Sequence, residues 1–551
     1  MLTLFARRFA RESLWNGWKT IHCLTVLCVA MPFLALAGGI FSPSSEHWRY
    51  VRDYMLPGYF TETVILTAGA GAAAFCIGVA LAWCVSVYDF RGRKIFDILL
   101  IVPLAIPPYI AAYAYEGLLG YTGLVQSFFR NTFDISLHGI TTKIPAMGWG
   151  IWIFAVTLFP YVYLLTRTFL QNQSAAIFEN ARLLGGGETR AFLRVGLPLL
   201  WPAATAGAIL VCLEVLNDFG VTSYYGLTTF TTAIFSAWFG MGDVDTAVKL
   251  ALILLGLVLC ALLARKAAHN ARRYHIVSSK EKKMRPRKVS NRAQVLIILS
   301  CSAACLAGVV VPVFQMLYWL RLTWRGAFTD DLFHALTYTI GSAGAATLLV
   351  MFAAVCTVNA NRLFGGKIFS LLSQAASLGY AIPSAVLAIG SITLFISLDK
   401  CLGALPFSCI APLAASSVLL IYAYAIRFFS IGYHSVEAGF AKVGNVYTEA
   451  SRTLGRSVTR TFFLVDLPLV RHAVLSGATL VFIDILKELP LGLLLRPFNT
   501  ETLGTWAYHF ANNEALEETA LPSLCIIAAG AIFIILTRYW ERKESRRVSG
   551  N

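Results

Sequence analysis

The chain is 551 residues long, 57% hydrophobic and only 13% charged, with a mean hydropathy of +0.68 and a net charge of +16 at pH 7. An ordinary soluble globule has about a quarter of its residues charged, so this composition excludes one and points to a membrane protein. Twelve cysteines form no CxxC pair and no cluster with zinc-ligand spacing, so no metal site can be assigned from them.

Stretches apolar enough to cross roughly 30 Å of hydrocarbon, about 20 helical residues, fall near 20 to 40, 60 to 88, 97 to 119, 146 to 168, 197 to 218 and 246 to 264. The series repeats near 294 to 320, 334 to 359, 368 to 397, 408 to 430, 467 to 490 and 521 to 540. The pattern predicts an all-α integral membrane protein of about twelve transmembrane helices, arranged as a first half of six spans (1–265) and a second half of six spans (294–551). Residues 266–293 contain SSKEKKMRPRK, strongly basic and without apolar periodicity. They read as a solvated cytoplasmic linker that also favours anionic lipid headgroups, as does the basic tail from Arg538. The ALAGG stretch from Ala35 to Gly39 has the composition of a signal-peptidase site, but the long basic lead-in favours an uncleaved anchor.

Charge sets the predicted topology. If the basic start (Arg7, Arg8, Arg11, Lys19) is cytoplasmic, 35 of the 45 Lys and Arg fall in inside segments or at their edges. Both termini are then cytoplasmic, and the net charge is a topology signal with no nucleic-acid partner behind it. Most cysteines lie in predicted spans as small packing residues. Cys401 and Cys409 flank a predicted outside loop, where an oxidising compartment would permit a bridge unless Cys409 is already in the membrane.

Two stretches superpose without a gap at a separation of 270 residues: ENARLLGGGETRAFLRVGLPL from Glu179 and EASRTLGRSVTRTFFLVDLPL from Glu449, identical at eleven of 21 positions. Each reads as a short helix, a glycine break and a second helix entering a span. Ser174 and Asn445 are candidate caps, Gly185 and Gly455 the stops, Ser457 a second cap, and Pro198 and Pro468 first-turn prolines. Phe192 with Val195 and Phe462 with Val465, spaced i, i+3, give each second helix an apolar stripe.

This pair resembles the EAA loops, here 179–198 and 449–468, of binding-protein-dependent ABC importer permeases. The resemblance implies a MetI-like permease fold with both halves in one chain. It also implies that Glu179, Arg182, Leu184 and Gly185, and Glu449, Arg452, Leu454 and Gly455, dock on two copies of a cytoplasmic ABC ATPase. The chain has no Gly-x-x-x-x-Gly-Lys-Ser/Thr sequence. It is therefore expected to be no enzyme and to bind no cofactor itself, with ATP used by the partner ATPase.

The 270-residue register continues into the following spans, where Glu214 corresponds to Asp484 and Asp218 to Glu488. Helical spacing of i, i+4 would put each pair on one face, roughly 24 and 30 Å from the cytoplasmic prolines at 1.5 Å per residue. Ionisable groups in spans usually face a bundle interior or wet cavity. Glu214, Asp218, Asp484, Lys487 and Glu488 are therefore candidate pathway residues, with span-end ion pairing or capping as the structural alternative. Tyr109, Tyr113 and Tyr115 read as packing or interface aromatics, and Glu116 as a residue of the mouth or the interface.

Asp218-Phe219-Gly220, Thr229-Phe230-Thr231-Thr232 and Trp238, with Lys487-Glu488-Leu489-Pro490, Leu493 to Pro497 and Thr502-Leu503, are similar to the iron(III) permeases of the fused two-half type. That resemblance implies ferric iron delivered by a periplasmic iron-binding protein to a bacterial inner-membrane permease. Thiamine and phosphonate permeases share the architecture and are the alternative. An ion-coupled secondary transporter, which can also show repeats and intramembrane acids, would leave the paired EAA skeleton unexplained. So would a non-transporting scaffold.

Overall fold

The computed structural model describes residues 17–38, 45–135, 145–171, 192–270, 286–403 and 412–532. The first half contains α1 (Gly17–Gly38), α2 (Leu56–Val87), α3 (Arg93–Leu99), α4 (Pro108–Leu119), α5 (Leu124–Phe133), α6 (Ala146–Gln171), α7 (Leu197–Asn217), α8 (Gly220–Tyr224), α9 (Phe230–Phe235) and α10 (Val244–Asn270). The second contains α11 (Asn291–Cys305), α12 (Val311–Ala327), α13 (Asp330–Phe364), α14 (Lys367–Ala376), α15 (Ser384–Gly403), α16 (Ser417–Val443), α17 (Val446–Thr453), α18 (Val458–Thr461), α19 (Leu467–Leu486), α20 (Pro490–Leu495) and α21 (Leu503–Asn512). Residues 520–532 are also helical. The only strands among the described residues, β1 (Tyr88–Asp89) and β2 (Arg287–Lys288), pair in parallel and tie down the C-terminal end of the basic linker.

Nine helices among the described residues are long and apolar enough to span, or ten if a bent pair counts as one, against about twelve expected. Three differences account for the shortfall. The third expected span is broken: Arg93–Ala105 and Pro108–Phe133 meet at 94°, because Pro107 and Pro108 stop a helix that would need their missing amides. α16 is long enough but carries Arg427, Glu437 and Lys442, and it is not among the nine. The last expected span is described only as far as residue 532. The ninth expected span begins later than its apolar run, at Ser384 after Pro383, with α14 a separate helix before it.

By contact, the chain forms two compact units, and these are not the sequence halves 1–265 and 294–551. One comprises Met1–Pro43 and Asp330–Thr505, the other Ser44–Thr329 and Trp506–Asn551. In the first unit α13, α16 and α19 pack together, with Tyr424, Phe428, Phe429 and Tyr433 buried on α16. α1, from the other sequence half, lies against α13 and α15. Its close approach requires Gly390, since a Cβ there would meet the Pro32 carbonyl oxygen at 2.7 Å. In the second unit α2, α6 and α7, the counterparts of α13, α16 and α19, make the same kind of three-helix core. There α12 packs on α4, where Gly117 makes room for the Trp319 ring. Small residues at these crossings let each span join the unit it packs best against, whatever its place in the chain.

Candidate functional site

The second of the two repeated segments is described in full, whereas Glu179, Arg182, Leu184 and Gly185 of the first, and its expected cap Ser174, lie outside the described residues. α17 begins after Asn445, which sits at the cap position without a side-chain bond. It ends at Gly455, whose φ is +85°. The Gly455 amide donates to the Arg452 carbonyl at 3.0 Å and the Arg456 amide to the Ser451 carbonyl at 3.4 Å, the two bonds of a Schellman stop. Ser457 then caps α18, its hydroxyl accepting from the Arg460 amide at 3.4 Å. Phe462 is buried and Val465 half-buried, in a π turn (Phe462–Asp466) that runs into α19 with Pro468 in its first turn. Phe192–Gly196 makes the same turn before α7.

α17 has two chemically different faces. Val446, Tyr447 and Leu454 are exposed, Leu454 at 82%, beside exposed Glu449 and half-buried Arg452. Thr448 and Ser451 face inward. The Thr448 hydroxyl donates to Asp466 Oδ1 at 2.6 Å, and the Ser451 and Thr461 hydroxyls lie 3.0 Å apart. Asp466 is buried and paired through Oδ2 with Arg362 of α13 at 2.6 Å, and the guanidinium lies over the Phe440 ring of α16 at 4.3 Å. A continuous set of contacts thus runs from the exposed helix into the membrane core. Near the same segment the Trp18 indole of α1 packs edge-on against Phe462 at 4.8 Å and donates to Thr459 at 3.4 Å.

Sequence comparison of the repeats passed over Asp466 and Arg362, because the register counterpart of Asp466 is Gly196. In the first half that position is filled by an aromatic contact: a Cβ on Gly196 would meet the Trp83 ring at 2.7 Å, and Trp83 packs edge-on against Phe192. The available signal was a carboxylate beside the Leu-Pro step at the mouth of a span. Removing one member of a buried pair leaves the other charge uncompensated, at about 3–5 kcal/mol. Asp466→Ala is therefore expected to loosen α17 from the bundle, read as faster proteolytic cleavage at 445–456 and weaker retention of the ATPase. Unchanged cleavage would refute the anchoring.

The acids do not form two helical faces. α7 ends at Asn217, and Asp218 is extended, with φ −75° and ψ 134°. Its Oδ1 accepts from the Val221 amide at 2.8 Å at the start of α8, and its carbonyl accepts from the Thr231 hydroxyl at 2.8 Å. Glu214 stays on α7, half-buried. In the second half α19 ends at Leu486, so Asp484 is helical and Glu488 is not. Asp484 pairs with Lys487 at 2.6 Å. Glu488 is buried, accepts from the Ser384 hydroxyl at 2.6 Å and the Leu491 amide at 3.4 Å, and pairs with Arg427 at 3.2 Å. The i, i+4 expectation fails because Gly220 and Pro490 follow so soon that each helix stops before its second acid.

Tyr115 donates to the Ala307 carbonyl at 2.9 Å, and Glu116 is exposed. Cys409 lies outside the described residues, and Cys401 is exposed. Among the described residues no three His, Cys, Asp or Glu side chains come together as a metal site.

The model of the family described as binding-protein-dependent transport system inner membrane component matches residues 74–276 and again 351–550. The chain is 22% identical over 87% of its length, and 89% of the relative's, to an Fe(3+)-transport system permease protein from Haemophilus influenzae. It is 27% identical over 37% of its length to a sulfate transport system permease protein from Salmonella typhimurium, covering 70% of that protein. Over 34% of its length it is 27% identical to a molybdenum transport system permease protein from Escherichia coli, covering 81% of that protein.

Proposed function

The chain belongs to the binding-protein-dependent transport system inner membrane components, and on that premise we propose that it is the fused two-half permease of an importer for ferric iron, driven by a separate ATPase. Family membership makes it a multi-pass inner-membrane protein and the permease component of an ABC importer. The partners we assign are two copies of a cytoplasmic ABC ATPase, one at each coupling segment, and a periplasmic iron-binding protein, with both termini on the ATPase side.

The observation that carries the coupling role is α17, with Leu454, Val446 and Tyr447 exposed on one face and Thr448 held to Asp466 on the other. An exposed apolar helix face on a membrane protein's aqueous side is suited to a partner cleft. When ATP closes the ATPase pair, the displacement of α17 is passed through Thr448, Asp466 and Arg362 to α13, and through α18 and the π turn to α19. This chain makes and breaks no covalent bond. It gates.

One point favours a cation over the oxyanions: the relative that spans nearly the whole chain is named for Fe(3+), whereas those named for sulfate and molybdenum match about a third of it.

The test is radiolabelled uptake in cells carrying this chain with its cognate ATPase and binding protein, offered ferric iron, sulfate, molybdate, thiamine or a phosphonate. Ferric uptake that stops with an inactive ATPase is the expected result. Accumulation of another solute alone would discard the iron reading, and uptake independent of the ATPase would overturn the energy source.

A further inference from the structure

The first turns of α1 are seated on the second coupling segment and its neighbours. The half-buried Trp18 ring meets Phe462 of the π turn edge-on at 4.8 Å, and its N–H donates to the Thr459 hydroxyl of α18 at 3.4 Å. One residue on, the Lys19 ammonium stands 4.8 Å from the centre of the ring of Phe364, the last residue of α13. His22 is fully buried and packs against Phe369 of α14 at 5.0 Å. Residues 18 and 22 lie one turn apart on a single helix face. The buried residues Val29, Pro32 and Leu36 continue that face towards the far end of α1.

Towards that end the helix is held in another way. Pro32 has no amide to donate, so the Cys28 carbonyl four residues earlier loses its helical bond. The hydroxyl of Tyr422 on α16 donates to this carbonyl at 2.7 Å, and the Tyr422 ring packs against Phe395 of α15 at 5.2 Å. A helix bends most readily where its own ladder is interrupted. Beside the interruption stands Gly390 of α15, where a Cβ would meet the Pro32 carbonyl oxygen at 2.7 Å and the Leu36 side chain at 3.0 Å. Packing that close has almost no slack, so α15 must follow when this part of α1 moves. α15 begins at Ser384, whose hydroxyl bonds to Glu488.

We propose that α1 is a second lever of the coupling step and that Trp18 is its positioning residue. α18 and the π turn press on the indole, α1 tilts about the Cys28–Pro32 interruption, and α15 is displaced with it. The 18 residues from Trp18 to Leu36 span roughly 27 Å at 1.5 Å per residue, a distance over which rigid helices and packed side chains carry coupling. This route is separate from the one through Thr448, Asp466 and Arg362, which ends on α13. The stroke received by the second sequence half is thereby passed through a helix of the first, all within one compact unit. The inference rests on the reading that α17 docks on the ATPase.

The test is hydrogen exchange of the full importer, this chain with its ATPase, in nanodiscs without nucleotide and with ATP plus vanadate, read over residues 446–464 and 384–395. Wild type should respond to nucleotide in both stretches. Trp18→Ala should keep the response over 446–464 and reduce that over 384–395 roughly fivefold, the size of one edge-to-face pair. Trp18→Phe retains an aromatic edge and should restore most of it. Tyr422→Phe keeps its ring against Phe395 and should weaken the same response. Combined with Trp18→Ala it should do no more than the stronger single change, because both act on one lever. Losses that multiply, or faster exchange over 17–28 with the 384–395 response intact, would make these residues merely structural and overturn the lever while leaving α17 on its ATPase. A wild type with no nucleotide response over 446–464 overturns both the lever and the docking of α17.

Discussion

Gly455→Val is expected to abolish most ATP-driven uptake while leaving a chain that inserts and still copurifies with its ATPase. Gly455 has φ +85°, a region that costs a β-branched residue roughly 1–2 kcal/mol or more. Among the described residues, no atom beyond its chain neighbours lies within 4 Å of the place its Cβ would take, so the effect comes from the backbone and not from crowding. To relieve the strain the chain must give up the bonds to the Ser451 and Arg452 carbonyls, which set the angle between α17 and α18. A change of that size in a step that must hold the coupled geometry is roughly tenfold in rate. Uptake and ATPase activity measured together read it directly: ATP turnover without matching uptake is expected. Gly455→Asn should be milder, because Asn enters the left-handed region more readily. Normal uptake by the valine variant would remove the coupling role from this turn. Gly185 is the equivalent position in the first copy, and the same substitution there should act alike.

The second large effect is at Glu488 and Arg427. Either Glu488→Ala or Arg427→Ala alone should cost about 3–5 kcal/mol, because each leaves a buried charge without its partner. Replacing both together with apolar residues of similar volume, Arg427→Met with Glu488→Leu, should cost less than the sum of the two single changes. Part of the loss remains, since Ser384 and the Leu491 amide also bond to Glu488. Asp218→Ala, which removes the bond from the Val221 amide at the start of α8, should cost less, about 1 kcal/mol for that cap. Thermal unfolding of the detergent-solubilised chain checks all four. Equal losses at Asp218 and Glu488 would mean that the two acids do the same work, and would contradict the asymmetry between the halves.

The coupling segment was legible because its determinants are local. A left-handed glycine, a serine cap and a first-turn proline each act within a few residues, so the helix, break and helix expected over 449–468 appear where the sequence put them. Asn445 is the exception: it takes the cap position, but its side chain does not make the bond. Asp466 was not legible, since its role depends on Arg362, a residue 104 positions away that no repeat comparison connects to it. The acids show the same division. Their register across 270 residues was visible, but their presumed helical faces were not real, because Gly220 and Pro490 end the helices and tertiary burial then decides what each carboxylate meets.

By itself the sequence determined the membrane setting, the duplication, the helical class and the local shape of the second repeated segment, all of which follow from composition, apolar run length and short-range backbone chemistry. Only the tertiary structure decided which spans pack together, because α1 joins α13 and α15 through close contact at Gly390, a matter of shape that has no sequence period. It alone decided that Glu488 is held by an arginine while the hydroxyl of Tyr113 is buried with no hydrogen-bond partner among the described residues. The free energy of a charge or a hydroxyl in the membrane depends on what lies within a few ångströms of it, and that is known only once distant segments are brought together.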